Sequence, residues 1–366
     1  MGTLHPEFRK HLKKHPAAKE YEFLFECCRA AFSGNNVSYP EDIRPKIFLE
    51  IVQRHKLIPQ LYPILKSHCE NLPNEVLQEF RNLLNRHNLH ILKLSGELIR
   101  LSELFAEHDI PWLSIKGPAL AVQLYGDVAA RQSGDLDILV KREDLDRAIK
   151  LISDAGYVPV IDHDKFNKSQ INFIRKCYKD ETFRHITNNV FVELHWSLEN
   201  EQTSPLNQVE LFETSATICI GNKSIYTLPD IPNLLYLCAH GHRHGWYRLF
   251  WLWDVATILK NTTQEQSEVI VESAKKYQCM KAMGQAIALS ASVFSVKPPA
   301  GLSCIPVTKS ITWLACWYIT KKDPMNLLNF PIRLWYASKI FTPQFFILYY
   351  WERMLLLLLR KYKKTG

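Results

Sequence analysis

An α/β fold in the broad, α+β sense is predicted by three stretches of this sequence. "GDLDILV" (134–140) and "NVFVELHWSL" (189–198) alternate with period two, as a sheet strand does. Between and around them run segments with apolar residues at helical spacing, so strands and helices interleave instead of forming separate halves.

Taken in order, "FLFECCRAAF" and "IFLEIVQRHKLIPQLYPIL" carry helical spacing, and residues 1–90 read as a helical region without a catalytic group. "LHILKLSGELIRLSELFAEHDIPWLSIKG" continues as an amphipathic helix that breaks at His108-Asp109, then gives a short strand from Pro111 to Ile115 ending in Lys116-Gly117. "PALAVQLYGD" begins a helix with Pro118 in its first turn, where a missing N–H costs nothing. A glycine that lets the backbone approach closely, before a helix start with free N–H groups, is an arrangement that binds phosphate, and Lys116 adds a positive charge.

The strand "DLDILV" places Asp135 and Asp137 on one face and Leu136, Ile138 and Val140 on the other. Two neighbouring carboxylates repel unless a cation or donors compensate them, and a divalent metal is one such cation. The competing reading is a Gly134-Asp135 turn with Asp137 solvated at the strand edge. "KREDLDRAIKLISDAGY" is a helix with Leu145, Ala148, Ile149 and Ile152 on one face and Gly156 closing it. In "NVFVELHWSL", Glu193 sits mid-strand opposite a wholly apolar face, where glutamate is disfavoured without a partner. Alone it reads as solvent-facing; beside the aspartate strand it would be a third metal carboxylate.

"KGPALAVQLYG", "RQSGDLDILV", "VELHW" and "HGHRHGWYRLFWLWDVATIL" together resemble the bacterial family of uncharacterised nucleotidyltransferases, within the polymerase-beta nucleotidyltransferase superfamily, over about residues 90–260. The resemblance implies a mixed sheet flanked by helices; helical spacing up to residue 90 and again from Pro229 onward divides the chain into a helical region at 1–90, a nucleotidyltransferase core at 91–228 and a helical region at 229–366. The resemblance implies two Mg²⁺ or Mn²⁺ ions on Asp135, Asp137 and Glu193. It also implies transfer of a nucleoside monophosphate from an NTP, ATP by default, to a hydroxyl, with release of pyrophosphate. The superfamily's usual phosphate loop is Gly-Ser, whereas Lys116-Gly117 stands here with the aspartates further on. Phosphate binding then falls to Lys116, Gly117, Gly134 and Arg131, the last suited by its guanidinium geometry or else a surface arginine.

"HGHRHGW" places His240 and His244 one turn apart, a spacing that can serve zinc given a third ligand. With Asp254 that would make a His/Asp metal-dependent hydrolase, the rival enzyme class. The resemblance instead puts His240, His244 and Arg248, with His195, near phosphates or the acceptor. Histidines hydrogen-bonded at a helix junction are the plainer reading, and a catalytically inactive nucleotide-binding module is a third.

Lys and Arg total 45 against 37 Asp and Glu, a net charge of +8, which suits an anionic nucleotide without demanding nucleic acid. Nine cysteines lack CxxC spacing, so neither a zinc site nor a secreted disulfide framework is indicated. The start, "MGTLHPEFRKHLKKHP", has no apolar signal region and Pro6 breaks the myristoylation pattern, so a cytoplasmic protein is expected. The acceptor is open: a sugar, a small molecule, a lipid-linked glycan or a protein side chain. Finally, "PQFFILYYWERMLLLLLRKYKKTG" (343–366) is too short and interrupted to span a bilayer. It reads either as a buried helix or as an interfacial one giving peripheral membrane contact through residues 345–364.

Overall fold

The computed structural model describes residues 6–161, 166–199, 208–303, 305–323 and 332; the apolar tail at 343–366 lies outside the described residues. The chain opens with helices α1 (Pro6–Leu12) and α2 (Ala18–Ser33), strand β1 (Val37–Ser38), α3 (Pro45–Arg54), α4 (Ile58–Ser67) and β2 (Cys69–Glu70). The long helix α5 (Asn74–Glu107) follows, then β3 (Trp112–Ser114), α6 (Gly117–Tyr125), β4 (Leu136–Val140), α7 (Leu145–Asp154) and β5 (Tyr157–Pro159). Next come α8 (Lys168–Cys177), β6 (Asp180–His185), β7 (Phe191–His195), α9 (Gln208–Glu213), β8 (Ala216–Ile220) and β9 (Lys223–Thr227). Helices α10 (Asp230–Arg243), α11 (Leu249–Asn261), α12 (Gln264–Lys276), α13 (Met280–Phe294), α14 (Ala300–Ser303) and α15 (Lys309–Thr320) follow among the described residues. The fold is mixed α/β and predominantly helical.

The described residues fall into two compact units: one holds residues 6–89, 129–132 and those from 234 onward, the other 90–128 and those of 133–233. The first is helical. In it α2 packs against α3, α4 and α13, α11 against α13, and α1 against α15. Two two-residue strands, β1 and β2, pair in parallel within it, a detail the helical spacing of residues 1–90 does not foretell.

The second unit is built on a sheet. Among its described residues seven strands run in the order β5-β6-β7-β4-β3-β9-β8. β4 and β7 are parallel, while β3–β4, β6–β7 and β8–β9 are antiparallel, so the sheet is mixed. One face of its centre is core: Leu136, Ile138, Val140, Val192, Leu194 and Trp196 pack with Ile91, Leu94, Leu98 and Phe105 of α5. Period-two alternation therefore leaves the opposite face to Asp137 and Glu193. Helix α5 ends at Glu107 and the chain turns through Asp109 at φ 51°, the break expected at His108-Asp109. β3 is shorter than the Pro111–Ile115 stretch predicted, and a 3-10 turn at Arg142–Asp144 precedes α7. The β8–β9 hairpin adds strands that the sequence reading left unassigned.

At the far edge, Glu97 of α5 is tied to the sheet. It accepts from Tyr157 Oη at 2.5 Å, from Arg100 Nη2 at 2.6 Å and from Asn188 Nδ2 at 3.2 Å. A buried carboxylate is tolerated when its lone pairs are filled in this way.

Candidate functional site

Because β4 and β7 run parallel in the register Asp137↔Glu193, the two acids stand abreast on the face away from the core. His195, two residues on along β7, shares that face. Its Nε2 lies 3.2 Å from Asp137 Oδ1 and 3.5 Å from Glu193 Oε2. Asp137, Glu193 and His195 each offer a ligand atom within 4.8 Å of the others, and among the described residues this is the group of three so placed. Asp137 and His195 are buried, whereas the Glu193 side chain is 33% exposed, so the cluster opens towards solvent at the glutamate. Asp135 is half-buried, two residues ahead of Asp137 and outside the 4.8 Å group.

The other wall is the turn between β3 and α6. Gly117 has φ 63°, a left-handed conformation that glycine adopts without strain, and Pro118 follows in the first turn of α6. A Cβ there would lie 3.5 Å from the Asp135 carbonyl oxygen, an ordinary contact, so the backbone angle rather than crowding calls for glycine. Lys116 immediately precedes α6 and is buried, with Nζ 3.2 Å from Asp137 Oδ1. Ser133 Oγ donates to the Asp135 carbonyl at 3.0 Å, and Gly134 is exposed.

These neighbours set the charge states. Burial opposes ionisation of Asp137, but the Lys116 ammonium and the His195 hydrogen bond outweigh it and hold the carboxyl well below the usual carboxylate range. Burial and the Lys179 charge press His195 towards neutrality. Its bonds to Asp137 and Glu193 and the charge of Asp180 outweigh them and raise its pKa. Asp180 Oδ2, on β6 opposite His195, lies 3.6 Å from His195 Nδ1 and 3.3 Å from Lys179 Nζ.

Residues 41–295 match the family described as uncharacterised nucleotidyltransferases. The chain belongs to that family. The match contains all four motifs that carry the sequence resemblance and extends beyond them at both ends. A comparison with curated proteins finds no match. Among solved structures, an antigenic nucleotidyltransferase-like protein from Paracoccidioides brasiliensis is similar over 58% of this chain and 95% of its own, at 14% identity and a TM-score of 0.31. A likeness that slight adds nothing to the family assignment.

In this nucleotidyltransferase-family chain, the remaining predicted site residues lie in the helical unit. Arg131 donates Nε–H to Asp254 Oδ2 at 2.9 Å and lies over the Phe250 ring at 4.8 Å, both side chains of the ion pair being buried. His240, near the end of α10, and His244, just past it, have ring centroids 4.6 Å apart, and both pack on Trp251. Arg248 lies over the Tyr247 ring at 5.1 Å. His240, His244 and Asp254 do not form such a three-ligand group among the described residues.

The two glycines of "HGHRHGW" have packing explanations. A Cβ on Gly241 would fall 2.3 Å from the Trp246 ring, and Gly245, at φ 62°, would bring one 2.7 Å from Tyr318. Sequence reasoning missed Asp180 and Lys179. Their stretch, "KDETFRH", is polar at both parities except for Phe183, so no alternation marked it as a strand beside the site.

Proposed function

We propose that this protein transfers a nucleoside monophosphate from an NTP, ATP by default, to a hydroxyl of an acceptor, releasing pyrophosphate, with Mg²⁺ or Mn²⁺ as cofactor. The observation that carries the reading is the in-register pair Asp137 and Glu193, with Lys116 Nζ 3.2 Å from the aspartate at the start of α6. Two carboxylates, Asp137 and Glu193, abreast in register and open to solvent at Glu193, fit a hard divalent cation by donor chemistry, with His195 hydrogen-bonded between them. Asp135, immediately before β4, is the further oxygen donor that a pair of ions would call on in this reading. When bound, such ions acidify the acceptor hydroxyl and neutralise phosphate oxygens.

The chain's own residues do the rest. Lys116 and the free N–H groups of the first turn of α6 hold the triphosphate. Asp137 stays ionised under Lys116 and His195. His195, tethered between Asp137 and Glu193, fixes the two carboxylates relative to each other. The acceptor oxygen forms its bond to the α-phosphorus, the bond to the bridging oxygen breaks, and Glu193, the exposed member, takes the hydroxyl proton. Lys116 stands with the two acids at the start of α6, so this reading gives the phosphate charge to it; Arg131 is buried against Asp254 in the helical unit. The acceptor's class is set only as a hydroxyl on a sugar, small molecule, lipid-linked glycan or protein.

The test supplies each of the four NTPs labelled at the α-phosphate, with Mg²⁺ or Mn²⁺ and cell extract as the source of acceptor. Label is expected in a product together with pyrophosphate, and Asp137→Asn abolishes both while its far-UV circular dichroism shows it folded, with a lower urea midpoint because Lys116 and His195 lose their anion. Lys116→Ala weakens NTP binding by about 1.5–3 kcal/mol, the worth of a charge-assisted contact. No label transferred from any of the four, and no pyrophosphate, would sink the reading.

A further inference from the structure

The helical unit contains a cleft of about 750 Å³, within the range of roughly 300–1,000 Å³ for small-molecule sites. Its character comes from Arg54, at the end of α3. The guanidinium donates to the Tyr21 hydroxyl at 2.6 Å and to the carbonyls of Ile319 and Lys321, and lies 2.6 Å from His55 Nε2. Every one of these partners is neutral. The carbonyls close the last turn of α15, and a helix C-terminus supplies about half a negative charge at most, so part of the guanidinium charge is left uncompensated. Glu50 stands one turn earlier on the same helix and lines the cleft, yet forms no ion pair with Arg54 among the described residues.

A second cation, Lys322, lines the same cleft, is exposed and has no ion-pair partner among the described residues. Arg44, by contrast, is neutralised by Glu20 through contacts of 2.6 and 2.9 Å. Pro16, Ala17, Ile47, Ile51 and the Tyr21 ring give the wall an apolar stretch, beside the polar Gln53 and Thr320. His15, also on the wall, feels the positive field. Burial, with the charges of Arg54 and Lys321, outweighs its hydrogen bond to Thr320 and the Glu20 charge, and lowers its pKa.

We propose that this cleft binds an acidic amphiphile, a carboxylate or phosphate monoester on an apolar body, with Arg54 and Lys322 holding the anionic head. A guanidinium desolvated on one side and still short of an anion gains most from an oxyanion, which it can meet with paired N–H groups. Ile47, Ile51 and Tyr21 give the apolar body its surface. The site is independent of nucleotidyl transfer.

Isothermal titration of the full-length protein with hexyl phosphate, hexanoate, hexan-1-ol and inorganic phosphate tests it. The two acidic amphiphiles are expected to bind at least tenfold tighter than the neutral alcohol and the bare anion, and the tighter of the two identifies the head group. Loss of one charge-assisted contact weakens binding by roughly tenfold or more, so Arg54→Gln and Lys322→Glu each lose that much. Arg54→Gln also removes bonds to α15; should it fail to fold, Lys322→Glu decides, because its exposed side chain leaves the urea midpoint unaltered. Asp137→Asn binds the probes as the wild type does. The proposal is overturned if neither acidic probe binds in the millimolar range, if hexan-1-ol binds equally well, if Lys322→Glu is indistinguishable from wild type, or if Asp137→Asn abolishes binding.

Discussion

Replacing Asp254 by Asn isolates one charge in the buried Arg131–Asp254 pair. The carboxylate and guanidinium are 2.9 Å apart, with side chains 0% and 2% exposed. At that separation and an effective dielectric near 20, the attraction is about 6 kcal/mol. Desolvation of both ions offsets most of it in the intact pair. Asparagine keeps an acceptor for the Nε–H but removes the charge, leaving Arg131 desolvated without its anion. Removing one partner of such a pair costs about 3–5 kcal/mol, and the retained acceptor places Asp254→Asn near the lower end. With a urea slope of about 3 kcal/mol/M, the unfolding midpoint falls by about 1 M. The assay is urea denaturation followed by far-UV circular dichroism on wild type, Asp254→Asn, Arg131→Met and the Arg131→Met/Asp254→Leu double variant. The double variant removes both charges and recovers most of the loss, giving a coupling of about 2 kcal/mol or more. A midpoint for Asp254→Asn equal to that of wild type would refute the reasoning, as would a double variant whose loss equals the sum of the two singles.

Gly241→Ala places a methyl group 2.3 Å from the Trp246 ring, so it is expected to cost about 1–3 kcal/mol and to change the near-UV dichroism of the tryptophans. Arg100→Met tests the Glu97 network by pH. Burial raises the Glu97 pKa, but Arg100 and Tyr157 outweigh it and hold it below the usual range. A depressed folded value means the stabilisation is complete above the unfolded pKa of about 4.3 and is lost as pH falls through the folded one. Arg100→Met is therefore less stable than wild type at pH 7, and the gap narrows as pH drops below about 4. Urea midpoints at a series of pH values measure it.

The polar face of the sheet was legible because period two is unambiguous where one parity is wholly apolar. Leu136, Ile138 and Val140 fixed the direction of Asp137, and Val192, Leu194 and Trp196 fixed that of Glu193. That β7 lies beside β4 could only be posed as a condition, since alternation specifies a face and not a neighbour. The partner of Arg131 was out of reach for a related reason. Asp254 lies in a distant helix, and no local pattern links a loop arginine to it. Burial of Lys116 against Asp137 was equally hidden, because a lysine before a glycine turn reads the same whether it faces solvent or an acid. The glycines of "HGHRHGW" owe their place to the rings of Trp246 and Tyr318, a steric reason that no local pattern discloses.

The parallel pairing of β4 with β7 also makes the acid cluster a late event in the life of each molecule. Asp137 and Glu193 become neighbours only after α7, β5, α8 and β6 have been synthesised between them. Parallel pairs join strands that are far apart in sequence, so the loop must close before any contact rewards it. At 5–20 residues per second, translation of the roughly 50 intervening residues takes on the order of 3–10 s. For that interval the ribosome displays an aspartate with no glutamate or histidine beside it, and a nascent chain halted before β7 offers a cation a single, unassisted carboxylate strand.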